Sequence, residues 1–137
     1  MTEERIDFDP LYRYVGEQFP LHGGSAHGPS HWRRVEQFGV KLTNEARADQ
    51  TVVRLFAVFH DSRRQNEFTD HEHGLRGAEL AQLVRGQFYE LSDGRFALLY
   101  YACAHHERGR TSDDPTIGCC WDADRLDLPR VGIQPAP

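Results

Sequence analysis

The sequence predicts an all-α fold, and three observations lead to it. Apolar residues recur at helical spacing in the long segments. Short stretches rich in Gly, Pro, Ser and Asp separate those segments. The most apolar segment, "QTVVRLFAVFHD", is hydrophobic nearly all round, so its periodicity fits a buried strand or a buried helix, and its length favours the helix.

The elements follow in chain order. In "DFDPLYRYVGEQF", Asp9 is placed to cap a helix with Pro10 at its first position, and Leu11, Tyr14 and Val15 recur on one side. "PLHGGSAHGPS" reads as a loop. Ser30 is the expected cap of a helix over "HWRRVEQFGVKLTNEARA", in which Val35, Phe38 and Leu42 share a face with His31. His31 therefore points inward from the first turn. After "QTVVRLFAVFHD" comes a polar loop, "SRRQNEFTD", and then a helix in "HEHGLRGAELAQLVRGQFYEL" carrying Leu75, Ala78, Leu80 or Ala81, and Leu83 or Val84 in rhythm. "SDG" breaks the chain. "RFALLYYACAHHE" is a second apolar helix ending in two histidines, "RGRTSDDPTIG" is a loop, and "CCWDADRLDLPRVGI" holds a short last helix that Pro129 ends or kinks. No internal repeat, low-complexity tract or long linker divides the chain.

At 137 residues the chain falls in the single-domain range and can remove roughly two-thirds of its unfolded surface from water, so one domain with a real core is expected. It is 39% hydrophobic and 27% charged with no apolar run near the length of a membrane span, which argues against a membrane protein and against general disorder. The acidic start "MTEERIDFDP" lacks the basic and apolar parts of a signal peptide, so a cytoplasmic location is expected. A net charge of -5 argues against duplex nucleic acid as a partner. Lys41 is the single lysine, so nearly all positive charge is arginine, whose planar fork suits a small anionic substrate and equally suits surface ion pairs. Cys103, Cys119 and Cys120 are odd in number and form no CxxC, so they are read as small buried hydrophobes rather than as a disulfide framework or zinc site.

Histidine is the outlier. The chain has eight, scattered singly and in pairs rather than in a terminal run. Neutral imidazole is the commonest protein ligand of transition metals. "RLFAVFHDSRR" sharpens the point, because a segment greasy enough to be buried runs straight into His60, Asp61, Arg63 and Arg64. Buried charge is costly unless it is paired, and a metal ion is one such partner. The two oxygens of Asp61 could bridge two ions while His60 holds one of them.

The order of the whole set is more specific than the His-Asp dipeptide. His31 stands in "HWRRV", His60 and Asp61 in "FHD", His73 in "HGLRGAELA", His105 and His106 in "AHHERGR", and Asp124 in "WDADRLDL". This resembles the HD-domain superfamily of metal-dependent phosphohydrolases, over roughly residues 27–128. The resemblance implies an all-α HD-domain helical bundle with a site made of His31, His60, Asp61 and Asp124. It implies a second ion held by His73 and one of His105 and His106, as in members with two metals. Asp122 and Asp127 are then support groups without metal contact, and His22, His27 and His71 fall in or beside loops. "AHHERG" is also similar to the paired histidines of HD-GYP cyclic-dinucleotide phosphodiesterases, but "GYP" is absent and the stretch after the doublet is shorter, so that substrate is not carried over.

The implied activity is hydrolysis of a phosphate ester of a small molecule, such as a nucleotide. A divalent ion held by imidazoles and carboxylates with an open position makes a nucleophile of water near neutral pH. Of Arg34, Arg63, Arg64, Arg76 and Arg108, the pair Arg63 and Arg64 are the favoured catalytic arginines beside Asp61, because they follow the doublet directly. The donor mix suits one or two ions of Mn, Fe, Co, Ni or Zn. Two other readings share it: a di-iron oxygenase of the same fold, and a binding protein whose metal only pins the helices. Bundles of this kind generally continue past the last aspartate, whereas 13 residues follow Asp124, so either a second subunit covers this end, as in a homodimer, or the site is unusually open.

Overall fold

The structure is a computed structural model that describes residues 6–21, 25–66, 70–107 and 111–127. His22, Arg108 and Pro129 lie outside the described residues. Six helices and no strand are found among the described residues: α1 (Phe8–Glu17), α2 (Pro29–Asn44), α3 (Gln50–Phe59), α4 (His73–Val84), α5 (Asp93–His105) and α6 (Pro115–Leu126). None of them is long and apolar enough to cross a membrane.

The bundle is organised around α3, which touches each of the other five helices. That position explains its composition. Val52, Val53 and every residue from Leu55 to Phe59 are fully buried, so the helix has no broad solvated side that would require a polar stripe. Each fully buried aliphatic or aromatic side chain contributes about 1.5–3 kcal/mol relative to exposure. Arg54 is the way out to solvent: its Nε donates to Glu36 Oε2 at 2.7 Å and its guanidinium lies 3.9 Å over the Phe8 ring.

The helix starts differ from expectation where two caps compete. Asp7 caps α1, accepting the Asp9 N–H at 3.2 Å, which places Pro10 third in the helix rather than at the first position. Gly28 precedes α2 with Pro29 at its first position, and Ser30 lies inside the helix; the missing Pro29 N–H is one of the unpaired donors of a first turn in any case. The last helix starts earlier than expected, because Asp114 accepts the Thr116 and Ile117 N–H groups at 2.8 and 3.0 Å and Pro115 opens α6 within the expected loop. Helix α4 stops at Val84, where the helical rhythm of the sequence also ends. The chain turns there through Gly86 at φ +87°, and the Tyr89 hydroxyl donates back to the Ala81 carbonyl at 2.6 Å.

One close approach sets the site. Helix α4 crosses the C-terminal end of α3 at Gly77, where a Cβ atom would strike the Phe59 carbonyl oxygen and lie 3.4 Å from that of His60. Glycine at this position lets the start of α4 come beside the His60–Asp61 turn.

Candidate metal centre

The side chains that meet at the centre come from helix ends. His31 lies in the first turn of α2, His60 caps the C-terminus of α3, Asp61 follows in the turn, and Asp124 sits in the last turn of α6. The His31 and His60 Nε2 atoms are 3.1 Å apart, and each lies 3.2 Å from Asp124 Oδ1. Asp61 Oδ2 is 3.3 Å from His31 Nε2 and 3.7 Å from His60 Nε2. The ligand atoms of these four residues all fall within 4.8 Å of one another.

Hydrogen bonding at the far side of each ring decides what the near side offers. His60 Nδ1 faces the Phe56 and Ala57 carbonyls at 3.1 and 3.0 Å. Carbonyls only accept, so Nδ1 carries the proton and neutral His60 presents a lone pair at Nε2. His31 Nδ1 donates to Asp127 Oδ2 at 2.7 Å, and the other oxygen of that carboxylate accepts from Arg34 Nε at 2.8 Å. Two imidazole lone pairs and two carboxylates thus converge on one point. Such an array repels itself unless a proton or a metal cation sits within it.

A second group meets the other oxygen of Asp61. Asp61 Oδ1 is 3.1 Å from His73 Nε2 and 3.3 Å from His106 Nε2, and the two Nε2 atoms are 3.1 Å apart. Again main-chain carbonyls hold the outer nitrogens: His73 Nδ1 donates to Asp70 O at 2.7 Å and His106 Nδ1 to Cys103 O at 2.8 Å. Asp61 therefore stands between two donor groups, one oxygen in each.

The charges respond as such an array demands. Burial by itself would raise the Asp61 carboxyl, but the His60 charge and hydrogen bonds from His106, His27 and His31 hold it well below the usual carboxylate range. Asp124 is held low in the same way, with burial opposed first by His60 and then by His31. For His31, burial disfavours the charged form, yet Asp124 and Asp61 push it up to about 11. His106 is also raised against burial, by Asp61. In the absence of another cation, protons on His31 and His106 offset the carboxylates.

The remaining expectations divide. His105, one of the pair considered for a second metal, is exposed and lies against the Tyr101 ring with centroids 4.4 Å apart; His106 is the one that turns inward. Arg64 is buried, its NH1 atom 3.1 and 3.2 Å from the two ring nitrogens of His73, so the guanidinium rests against the ring rather than on one lone pair. Arg63, in contrast, lines a surface depression with Pro20, Arg76 and Leu83, to which neither donor group contributes. Its peptide carbonyl accepts from Arg76 Nε at 3.2 Å. Asp122 is exposed and pairs with Arg125 at 3.0 Å, and His71 is exposed. The three cysteines are free and buried, and burial pushes the Cys103 thiol up, so it offers no thiolate to a metal.

Two residues matter more than the sequence indicated. His27, read as a loop residue, brings Nδ1 to 3.3 Å from Asp61 Oδ2, and its own carbonyl is anchored by Trp32 Nε1 at 2.7 Å. Asp127 is almost fully buried and orients His31; its spacing of three from Asp124 on a helix was the available signal, because such residues share a face.

No family model and no curated protein matches the sequence. Among solved structures, the crystal structure of a "predicted HD superfamily hydrolase" from an uncultured Thermotogales bacterium superposes with a TM-score of 0.71. It is 26% identical, over 94% of this chain and 76% of that one. The chain resembles the HD-domain superfamily. The all-α architecture of the described residues is the HD-domain fold, and their buried His/Asp groups fit a divalent metal, offering nitrogen and oxygen donors without thiolate. Fold and donor set together support a metal-dependent hydrolase of the HD type.

Proposed function

We propose that this protein is a metal-dependent phosphohydrolase acting on a phosphate ester of a small molecule, a nucleotide being the leading class. The observation that carries the reading is Asp61, whose two oxygens face two separate sets of imidazole nitrogens. One ion of Mn, Fe, Co, Ni or Zn would be held by His31, His60, Asp61 and Asp124, and a second by Asp61, His73 and His106. Bound metal supplies acidified water and withdraws charge from a phosphoryl oxygen. The chain does the rest. Asp127 and the carbonyls of Phe56, Ala57, Asp70 and Cys103 keep the outer imidazole nitrogens protonated, so that four Nε2 atoms stay aimed at the carboxylates. Arg64, buried against His73, provides fixed positive charge for the non-bridging oxygens of an anionic substrate. Asp124, with a side chain 21% exposed, leaves its side of the centre open to solvent.

The shared carboxylate serves a di-iron oxygenase equally well, so the test discriminates. Phosphate release from a nucleotide panel with added Mn²⁺ is expected, and is expected to vanish in Asp61→Asn while the far-ultraviolet circular dichroism persists. Phosphate release that survives Asp61→Asn contradicts the proposed site. Ferrous-dependent oxygen consumption without phosphate release moves the assignment to the oxygenase. A chelator that lowers thermal stability in a protein with neither activity leaves a metal that only holds helices together.

A further inference from the structure

Helix α4 begins in an unusual way. Its N-cap residue, Glu72, has φ +68°, the left-handed region that disfavours a side chain, and it makes no side-chain capping bond. The first helical residue is His73 itself. A ligand placed at a strained, uncapped helix start would be poorly fixed, yet its position is set by a group from elsewhere in the chain. Glu107, next after His106, spreads its carboxylate across this start: Oε1 accepts the Glu72 N–H at 3.2 Å and Oε2 the Gly74 N–H at 3.0 Å. The two bonds flank His73 on both sides, and Oε2 also lies 3.7 Å from His73 Nδ1. A carboxylate at a helix N-terminus satisfies donors that have no partner within the helix and complements the helix dipole.

The local packing admits this bond pattern only because residue 74 is glycine. A Cβ there would strike the Cys103 carbonyl and come within 3.0 Å of both Glu107 Oε2 and His106 Nδ1. Cys103 O is the same atom that accepts from His106 Nδ1. Backbone, carboxylate and imidazole are therefore packed into one joint between the start of α4 and the end of α5.

We propose that Glu107 is the positioning residue of the second donor group, fastening the backbone around His73 to the turn that carries His106 and so setting the affinity for a second metal ion. It acts through His73 and His106 and touches neither substrate nor metal. This rests on the two-group reading above. The bonds of Glu107 run to the Glu72 and Gly74 peptides beside the His73 ring, whereas His31, His60 and Asp124 of the first group come from α2, α3 and α6, and Asp61 is the one residue common to both groups. Loss of the Glu107 carboxylate is thus expected to separate the two ions in affinity, whereas a merely structural loss would weaken both.

The test is calorimetric titration of the full chain with Mn²⁺, with ions per chain counted after dialysis. Glu107→Gln keeps the size of the side chain but turns an amide N–H₂ toward one of the two peptide donors, and Glu107→Ala removes both acceptors. The expected result is a second Mn²⁺ weakened by about 10- to 100-fold, the usual effect of losing an outer partner of a metal ligand, with the first held as in the wild type. Retention of the first ion also shows that the variant is folded. Two ions bound at wild-type affinity in both variants overturn the inference and leave the two-group reading standing. Equal weakening of both ions overturns it too, by showing a general loss of structure. A wild-type protein that takes up one ion, unaffected by His106→Ala, overturns the two-group reading and the inference together.

Discussion

His31 and His73 both aim Nε2 at Asp61, but they are supported in different ways. The outer nitrogen of His31 meets Asp127, a buried carboxylate that is itself fixed by Arg34. The outer nitrogen of His73 meets the peptide carbonyl of Asp70, at the edge of a loop. The groups differ in charge as well. The first has Asp61 and Asp124, whereas the second has no carboxylate of its own among its three donors and shares Asp61. A dication in the first group is fully balanced by two carboxylates, and one in the second is not. On the proposed reading, these two similar imidazole pairs would hold a first ion tightly and a second more weakly, joined by Asp61.

The largest expected effect comes from removing that joint. Asp61→Ala should take the protein from two bound ions to none, measured by elemental analysis after dialysis; a variant that keeps one tightly bound ion would show that the groups are independent. Asp127→Asn should be next, weakening the first ion by about 10- to 100-fold while changing the second much less, because it alters the group that orients His31 and raises its basicity. Mn²⁺ titration of this variant checks the asymmetry directly.

A smaller effect concerns pH. In the metal-free protein the His31 proton stands in for a cation, and its folded pKa of about 11 lies above the ordinary value of 6.5. The stabilisation is fully present below about pH 6.5 and is lost progressively as pH rises toward 11, because the folded state binds the extra proton only in that window. Thermal melts in chelator should therefore fall as pH is raised from about 7 to 9.5, and saturating Mn²⁺ should flatten the slope or reverse it. A chelated protein whose melting temperature is indifferent to pH over this window would count against the charge balance described here. The smallest effect is assigned to His105→Ala, which should leave metal content unchanged and alter stability by no more than about 0.5 kcal/mol, as for most exposed positions.

The uneven legibility of the two groups has the same physical roots. His31, His60, Asp61 and Asp124 could be picked out because their order along the chain is specific and each belongs to a segment with a clear helical face or a clear end. His106 could not be separated from His105 in the same way. Helix α5 carries Phe96, Leu98, Leu99, Tyr100 and Tyr101 around most of its circumference, so its apolar rhythm points to no single inner side. Two adjacent histidines at its end are about 100° apart, and only the packing of α4 and α3 decides which turns in. His27 lay in a glycine- and proline-rich stretch, where backbone freedom hides direction until Trp32 anchors its carbonyl. Asp9 was the expected cap of the first helix, but the start is set two residues earlier, where the Asp7 carboxylate accepts the Asp9 N–H. Asp127 had a readable signal in its spacing from Asp124, but its role needed His31 and Arg34, distant in sequence, to be brought to it.

Sharing of Asp61 between two metal-binding groups of unequal strength is the core of the proposed function. It is tested most directly by the number of Mn²⁺ ions per chain, in the wild-type protein and in His106→Ala, across a range of free metal. Two ions are expected for the wild type, the second filling at higher concentration, and one ion for His106→Ala with the first affinity retained. A wild-type protein that saturates at a single ion, with His106→Ala indistinguishable from it, would rule out a shared Asp61.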